Sequence, residues 1–539
     1  MILRGEIIGL YLLFLPFNLS FNTFGGKVVY LDLAFLLYPF VLKQVVGIMK
    51  KQVLFYSPYA IYPFHFETEL ELAEKHLNQG YEVTFLVCNG ELPSCDPNPC
   101  HKPSICLLCK SRLFSGINWL GKNNIKIESF YKLTKEQKQT INSLNSIRIP
   151  SIDYLKQISI DDSDIGLAAF GSVVSNLRNP EVDLQENLDL IRKNLVAAAI
   201  VHYSLKNRLK ENKPDKLIIF NGRMAPLRPA LRLAQSLNIE VYVHERSGDL
   251  NRYYLIKNTY PHNLAVMKQE IELHYQNSDL PEAKKLEIAI QWFEERSNNQ
   301  PQAWVSYTEN QIKGMLPESF DLHNINIAIF NSSEDEAISI PEWQSSLYKN
   351  QNDGIYKIVN EFDKIDKLKF YLRVHPNLKG VNNSQTKFIR DNLSQLPNLE
   401  IIQPDSPVST YSLIDNSDVV ITFGSTVGIE AVYRGKPSIL MGRALYEDLG
   451  GVVLPKTHEE LVNILHNYIL TRSLPQPKNP QLAFIKYGFF QKTYGHLFEY
   501  VKPYTPFKVS LQRKNESEYF VRASWYSRIL AKILRKLNL

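Results

Sequence analysis

Cysteine is scarce and confined in this chain of 539 residues: there are five, all between Cys88 and Cys109. So few thiols exclude a disulfide-stapled secreted scaffold and point to a reducing compartment. An excess of charge of one sign is nearly lacking too. Lys and Arg number 61 against 55 Asp and Glu, a net +6, which is too small an excess to make nucleic-acid binding the main task. Nor are apolar residues short: 44% apolar and 22% charged is a globular composition, with length for two or three domains. A long uninterrupted apolar span is also missing. Residues 7–26 carry no charge, but Pro16 interrupts them, and the second run, Leu33 to Leu42, is short and holds Pro39. No small-residue cleavage site precedes a polar start, which argues against a signal peptide. Residues 1–49 read as a membrane hairpin or interfacial anchor, or else as an over-long start ahead of "MKKQVLFYSPY" from Met49.

What is present is a strand–helix alternation. "VLFYS" (53–57) reads as a buried strand, and Phe66, Leu70, Ala73 and Leu77 then recur at helical spacing before Gly80 and "YEVTFLV" (81–87). "KLIIF" (216–220) and "IEVYV" (239–243) repeat the unit after a long helical stretch at 165–212. A second series follows: "NIAIF" (326–330), "KFYLRV" (369–374), "LEIIQ" (399–403), "DVVITF" (418–423) and "PSILMG" (437–442). Short apolar strands separated by helices predict parallel βαβ units. The expected fold is α/β, with two Rossmann-like doubly wound domains facing a cleft. The expected divisions are 1–49 (leader), 50–310, 311–505 and a basic tail, 506–539.

Ligands of open α/β sheets bind outside the carboxyl ends of the strands, so the loops there are the candidates. "NSSEDE" brings Ser332 and Ser333, "HPN" brings His375, and "FGSTVGIE" brings Gly424, Ser425 and Thr426 at a helix start, with Glu430 four residues on. Backbone N–H groups at a helix start suit a phosphate, and a carboxylate on the same face can accept from ribose hydroxyls. The bland reading of Ser-Thr there is an N-cap.

"LRVHPN", "YSLIDNSDVVITFGSTVGIEAVYRGKPSILMG" and "ALYEDLGGVVLP" together resemble the capsule polysaccharide biosynthesis proteins, GT-B-type transferases that include the bacterial Kdo transferases. A weaker similarity runs to CDP-glycerol glycerophosphotransferases, through an arginine-x-histidine-proline element and a strand-serine-helix-acid element. The resemblance covers about residues 325–455, and "IFNGR" with "VHERSG" extends it loosely into the first half. It implies a nucleotide-sugar donor on the C-terminal domain and a glycan or lipid-linked acceptor on the N-terminal one, with no catalytic metal. Arg373, His375, Ser425 and Thr426 would then meet the donor phosphate and Glu430 the ribose. "QPDSP" (403–407) matches the second proline-containing motif of the Kdo transferases only loosely.

An acceptor hydroxyl must lose its proton as it attacks. His65 and Glu245 are the candidate bases, Asn221, Arg223 and Arg246 the acceptor contacts, and a structural Glu245–Arg223 ion pair the alternative. Cys95, Cys100, Cys106 and Cys109 could close a structural zinc site, or be plain thiols. In the tail, Trp525, Ile529, Ile533 and Leu537 form one stripe beside Arg522, Arg528, Lys532, Arg535 and Lys536, which suits a membrane surface or, alternatively, packing on the protein. The expected protein is a glycosyltransferase of surface-glycan assembly, cytoplasmic and at the inner face of the cell membrane. A CDP-polyol phosphotransferase of teichoic-acid type and a non-catalytic assembly component with this fold are the alternatives.

Overall fold

Two mainly parallel sheets organise the chain in a computed structural model, which describes residues 18–22, 28–32, 50–303 and 308–537. Of the expected leader, only β1 (Asn18–Asn22) and β2 (Val28–Asp32) are described, as an antiparallel pair; the rest of residues 1–49 lies outside the described residues. Among those described, no helix is long and apolar enough to cross a membrane.

The first sheet is built from β3 (Gln52–Ser57), β4 (Glu82–Val87), β5 (Ile125–Ser129), β6 (Lys216–Phe220), β7 (Glu240–Arg246) and β8 (Arg252–Lys257). The second comprises β9 (Ile325–Phe330), β10 (Leu368–Arg373), β11 (Leu399–Ile402), β12 (Val419–Thr422) and β13 (Ser438–Leu440). Their orders, β5-β4-β3-β6-β7 and β11-β10-β9-β12-β13, are the same doubly wound order. In each the order reverses beside the first strand, between β3 and β6 and between β9 and β12. That is where a cleft opens at the strand ends.

Sequence explains the strands. Every residue of β9, "INIAIF", is buried, as a strand covered on both faces requires. β5, "IKIES", has no buried residue, and so gave no apolar run to read. The helical stretch at 165–212 is two helices, Ile165–Leu177 and Leu188–Glu211. Arg178 ends the first in the left-handed conformation (φ 51°).

The chain finally returns to the first sheet. β14 (His496–Leu497) pairs with β8, ahead of the boundary expected at 505. A hairpin of β15 (Val501–Thr505) and β16 (Lys508–Leu511) follows. Here the buried Glu71 carboxylate accepts the backbone N–H groups of Glu499 (2.9 Å), Tyr500 (3.0 Å) and Val501 (2.9 Å). Those are charge-assisted bonds inside the protein, and they tie the returning segment to the helix His65–Asn78.

Between the sheets, Trp292 and Phe293 of the helix Glu282–Ser297 pack in one apolar cluster with Ile429, Val432, Tyr446 and residues of the helix Pro480–Thr493.

Candidate functional site

A cavity opens at the switch point of the second sheet. Its lining includes Asn331 after β9, Arg373 and His375 at the end of β10, Ser425, Thr426 and Glu430 after β12, and Arg296 from the helix Glu282–Ser297. Gly424 makes the turn out of β12 with φ 102°, and a Cβ there would meet the Arg443 carbonyl oxygen at 2.9 Å. Only glycine fits that turn.

Arg373 lines the cavity, and its side chain is buried. Nη1 and Nη2 donate to carbonyl oxygens of Gln403 (3.2 Å) and Ser406 (3.1 Å). Nε has no partner. Burial lowers its pKa to about 10, with Asp405 opposing the shift. The guanidinium therefore stays charged at neutral pH, and neither of these two bonds goes to a carboxylate. Beside it, the buried Asn331 accepts the His375 N–H at 2.8 Å through Oδ1, while its Nδ2 has no partner.

His375 is neutral here. Burial lowers its pKa to about 4, Arg178 and Arg373 adding to the effect and Asp335 opposing it. Its Nδ1 accepts the Asn377 N–H at 3.2 Å, so the ring hydrogen sits on Nε2, which is a donor. Because the folded value lies below the ordinary 6.5, the unfolded chain binds more protons between those two values, and stability falls as pH falls through that window. Replacing His375 with Gln should flatten this part of the pH dependence, measured as urea midpoints from neutral pH down to about pH 4. An unchanged slope would show that His375 does not titrate this way.

Glu430 does not stand open for a ligand. Its Oε1 accepts from Thr426 Oγ1 (2.8 Å) and pairs with Arg296 Nε (3.2 Å), and its Oε2 accepts from the Tyr411 hydroxyl (2.8 Å). Burial opposes the charge on Arg296, but Glu430 and Tyr411 outweigh it and leave that pKa raised. The helix behind Thr426, Val427–Tyr433, has seven residues. Its start is a weak anion site, with the Thr426 hydroxyl already committed. Arg296 has no strand-end mark: it ends a helix of the first half, in the polar segment "ERSNNQPQAW" (295–304) that joins the two series of strands. Tyr411 follows Ser409, whose hydroxyl caps the helix Thr410–Asn416 by accepting the Ser412 N–H at 3.1 Å.

Other expected residues are placed elsewhere. The Ser332 hydroxyl accepts from Gln351 Nε2 (2.8 Å), and the Ser333 hydroxyl donates to Asp335; neither lines the cavity. Their segment forms a short 3-10 turn, Glu334–Glu336, not a helix start. Cys95, Cys100, Cys106 and Cys109 do not converge: among the described residues no three His, Cys, Asp or Glu could share a metal ion. Cys100 is exposed. Cys106 accepts from Asn98 Nδ2 (3.3 Å) and Cys109 from the Ala60 N–H (3.2 Å). These residues do not fit a zinc ion.

The first-domain candidates do gather. His65 Nδ1 lies 3.7 Å from Glu245 Oε1. Asn221 Nδ2 donates to Glu245 Oε2 at 2.8 Å, and Asn221 Oδ1 accepts from Arg223 Nε at 3.3 Å. Asn221 thus stands between Glu245 and Arg223, where a direct ion pair was the alternative. Burial holds the His65 pKa well below 6.5, with Arg246 and His244 adding to it. Arg246 lies over the Phe64 ring, 4.8 Å from its centre. The gathering reaches the second half through Arg223 Nη1, which donates to the Glu336 carbonyl oxygen at 3.3 Å, while Glu336 itself accepts from Asn377 Nδ2 at 2.5 Å.

Two doubly wound sheets, with a cavity at the switch point of the second, define a GT-B-like α/β protein. Residues 330–459 match the model of the family described as capsule polysaccharide biosynthesis protein, so the resemblance carried by "LRVHPN" and "FGSTVGIE" holds over that stretch. No curated protein sequence matches the chain. Similar solved structures include a beta Kdo 2,4 transferase, KpsC of Thermosulfurimonas dismutans. It has 12% identity over 51% of this chain and 79% of that one, at a TM-score of 0.33. The beta Kdo 2,7 transferase KpsC of the same organism has 14% identity over 52% and 79%, at 0.30. The UDP-GlcNAc 2-epimerase of Neisseria meningitidis, solved bound to UDP-GlcNAc, has 14% identity over 81% and 98%, at 0.28.

Proposed function

We propose that the protein is a glycosyltransferase that moves a sugar from a nucleotide donor to a growing surface polysaccharide, at the inner face of the cell membrane. The observation that carries this reading is Arg373: a buried guanidinium beside a cavity, with Nε unpartnered and no carboxylate among its bonds. Asp405 acts on this cation only at a distance; a buried cation without a hydrogen-bonded anion is costly to keep, and a donor phosphate supplies one. The neutral His375 then donates Nε2–H to the same phosphate, and the pair stabilises the negative charge that grows on the leaving nucleotide. Asn331 Nδ2 adds a third donor. On the acceptor side, His65 is uncharged and close to Glu245, so it can take the proton of an incoming hydroxyl. Arg223 and Asn221 orient that acceptor. Family membership of residues 330–459 supports the assignment to capsule-type glycans.

The test is a donor panel of UDP-, CMP- and GDP-sugars together with CDP-glycerol, read as free nucleotide released with and without oligosaccharide acceptors. Release from a nucleotide sugar, lost in the Arg373→Met variant, is the expected result. Transfer of glycerol phosphate from CDP-glycerol would replace this reading with a phosphotransferase. Nucleotide binding without release from any donor would replace it with a non-catalytic component.

A further inference from the structure

The C-terminal helix Trp525–Lys536 shows its large apolar side chains to solvent instead of to the protein. Trp525 is 61% exposed and Tyr526 79%, and Ile529, Leu530 and Ile533 are exposed as well. Its only buried residue is Ala531. At 100° per residue these five fall on one arc, and Ala531 falls outside it. Arg528, Lys532 and Arg535 occupy a third arc that borders Trp525, Lys536 falls between Trp525 and Ile529, and no Asp or Glu follows Glu518 in the sequence. The helix is held in place from its N-terminal side: the backbone N–H of Ser524 donates to the Ser111 hydroxyl (2.8 Å), and that of Arg522 to the Ser115 hydroxyl (3.4 Å). Between those two serines, on the helix Pro103–Leu120, Phe114 is also exposed, at 49%.

A helix recruited only to cover the protein buries its apolar arc. This one buries its small residue and turns the aromatic and aliphatic arc outward, flanked by cations. We infer that this face, with Phe114, is a docking surface for an anionic lipid bilayer. The helix lies in the plane of the interface, Trp525 and Tyr526 enter the headgroup boundary, and the basic arc meets lipid phosphates. Charge decides the occupant, because a second copy of the same face would set like charges against like. The surface belongs to the domain of the first sheet, where the proposed function places the acceptor. The inference deepens that reading by making a lipid-carried glycan the acceptor within reach.

The full chain is mixed with vesicles of phosphatidylcholine, or of phosphatidylcholine with phosphatidylglycerol, at low and high salt. Binding to the anionic vesicles is expected, weakened by salt. Neutralising Arg528, Lys532 and Arg535 to Gln should lower it by about a hundredfold at low salt. Acyl-brominated lipid should quench fluorescence in the parent more than in the Trp525→Phe variant. Equal quenching, or undiminished binding of the triple variant, overturns the inference, and in that case another part of the chain carries the lipid contact. Self-association that the Ile529→Ser and Ile533→Ser changes abolish, without vesicle binding, overturns it in favour of an interface between copies. Nucleotide binding is measured in parallel and stays unchanged in every tail variant. A loss of lipid binding is therefore distinguishable from failure of the donor-site reading.

Discussion

Arg373→Met is expected to weaken nucleotide binding by about a hundredfold or more, while the unfolding free energy stays close to that of the parent. Charge-assisted bonds from a buried guanidinium to phosphate contribute about 1.5–3 kcal/mol each, and 1.4 kcal/mol is a tenfold change. Two such bonds exceed a hundredfold. For stability, two effects oppose one another. Loss of the guanidinium leaves the carbonyls of Gln403 and Ser406 without their donors, at about 1–3 kcal/mol each. It also removes the cost of burying a charge, which the drop of its pKa to about 10 puts at about 3 kcal/mol. Gln403 is exposed and Ser406 half-buried, so water takes over part of the lost bonding, the carbonyl cost sits at the low end of that range, and the balance is near zero. Calorimetric titration with the nucleotide selected by the panel, alongside urea unfolding, reads both quantities. Undiminished affinity would move the phosphate elsewhere in the cavity, and a large loss of stability would make Arg373 a structural residue.

Glu430→Ala is expected to act first on stability, with a loss of about 2–4 kcal/mol. The carboxylate partners Arg296, Tyr411 and Thr426 at once, and its removal strands a guanidinium in a confined space. The loss stays below the cost of breaking a fully buried pair because the Arg296 side chain keeps 30% of its exposure. Glu430→Gln retains an acceptor for the two hydroxyls and should lose less. A cycle with Arg296→Met should return a coupling energy above about 1 kcal/mol. Zero coupling would mean that the pair contributes nothing measurable, and that Glu430 is free for a ribose after all.

The doubly wound α/β class was legible, though not the strand order, because the apolar runs of both series are separated by helix-length segments. β5 was not, since "IKIES" is exposed at an edge, and neither was β14, two residues whose pairing depends on where the chain comes back. At the site, the strand-end rule led to His375 and Ser425, because each follows an apolar run, whereas Arg373 came only with the family resemblance. Arg296 carries no such local mark: its partner lies 134 positions away, and only the packing of Trp292 and Phe293 against the helix Pro480–Thr493 brings it there. Ser332 and Ser333 follow the same rule as Ser425, yet their hydroxyls are taken by Gln351 and Asp335. Local spacing cannot anticipate which hydroxyls the neighbouring side chains will claim.

The return of the chain to β8 has a mechanical consequence. Two covalent crossings connect the sheets, one between the helix Glu282–Ser297 and β9, the other between the helix Pro480–Thr493 and β14. A body hung from one tether can swivel in any direction, whereas one hung from two is confined to bending about the line that joins them. Any opening of the cleft would thereby be confined to one principal rotation, and the bond from Arg223 to the Glu336 carbonyl oxygen would break in it. A single proteolytic cut in either crossing would leave the two halves still attached through the other.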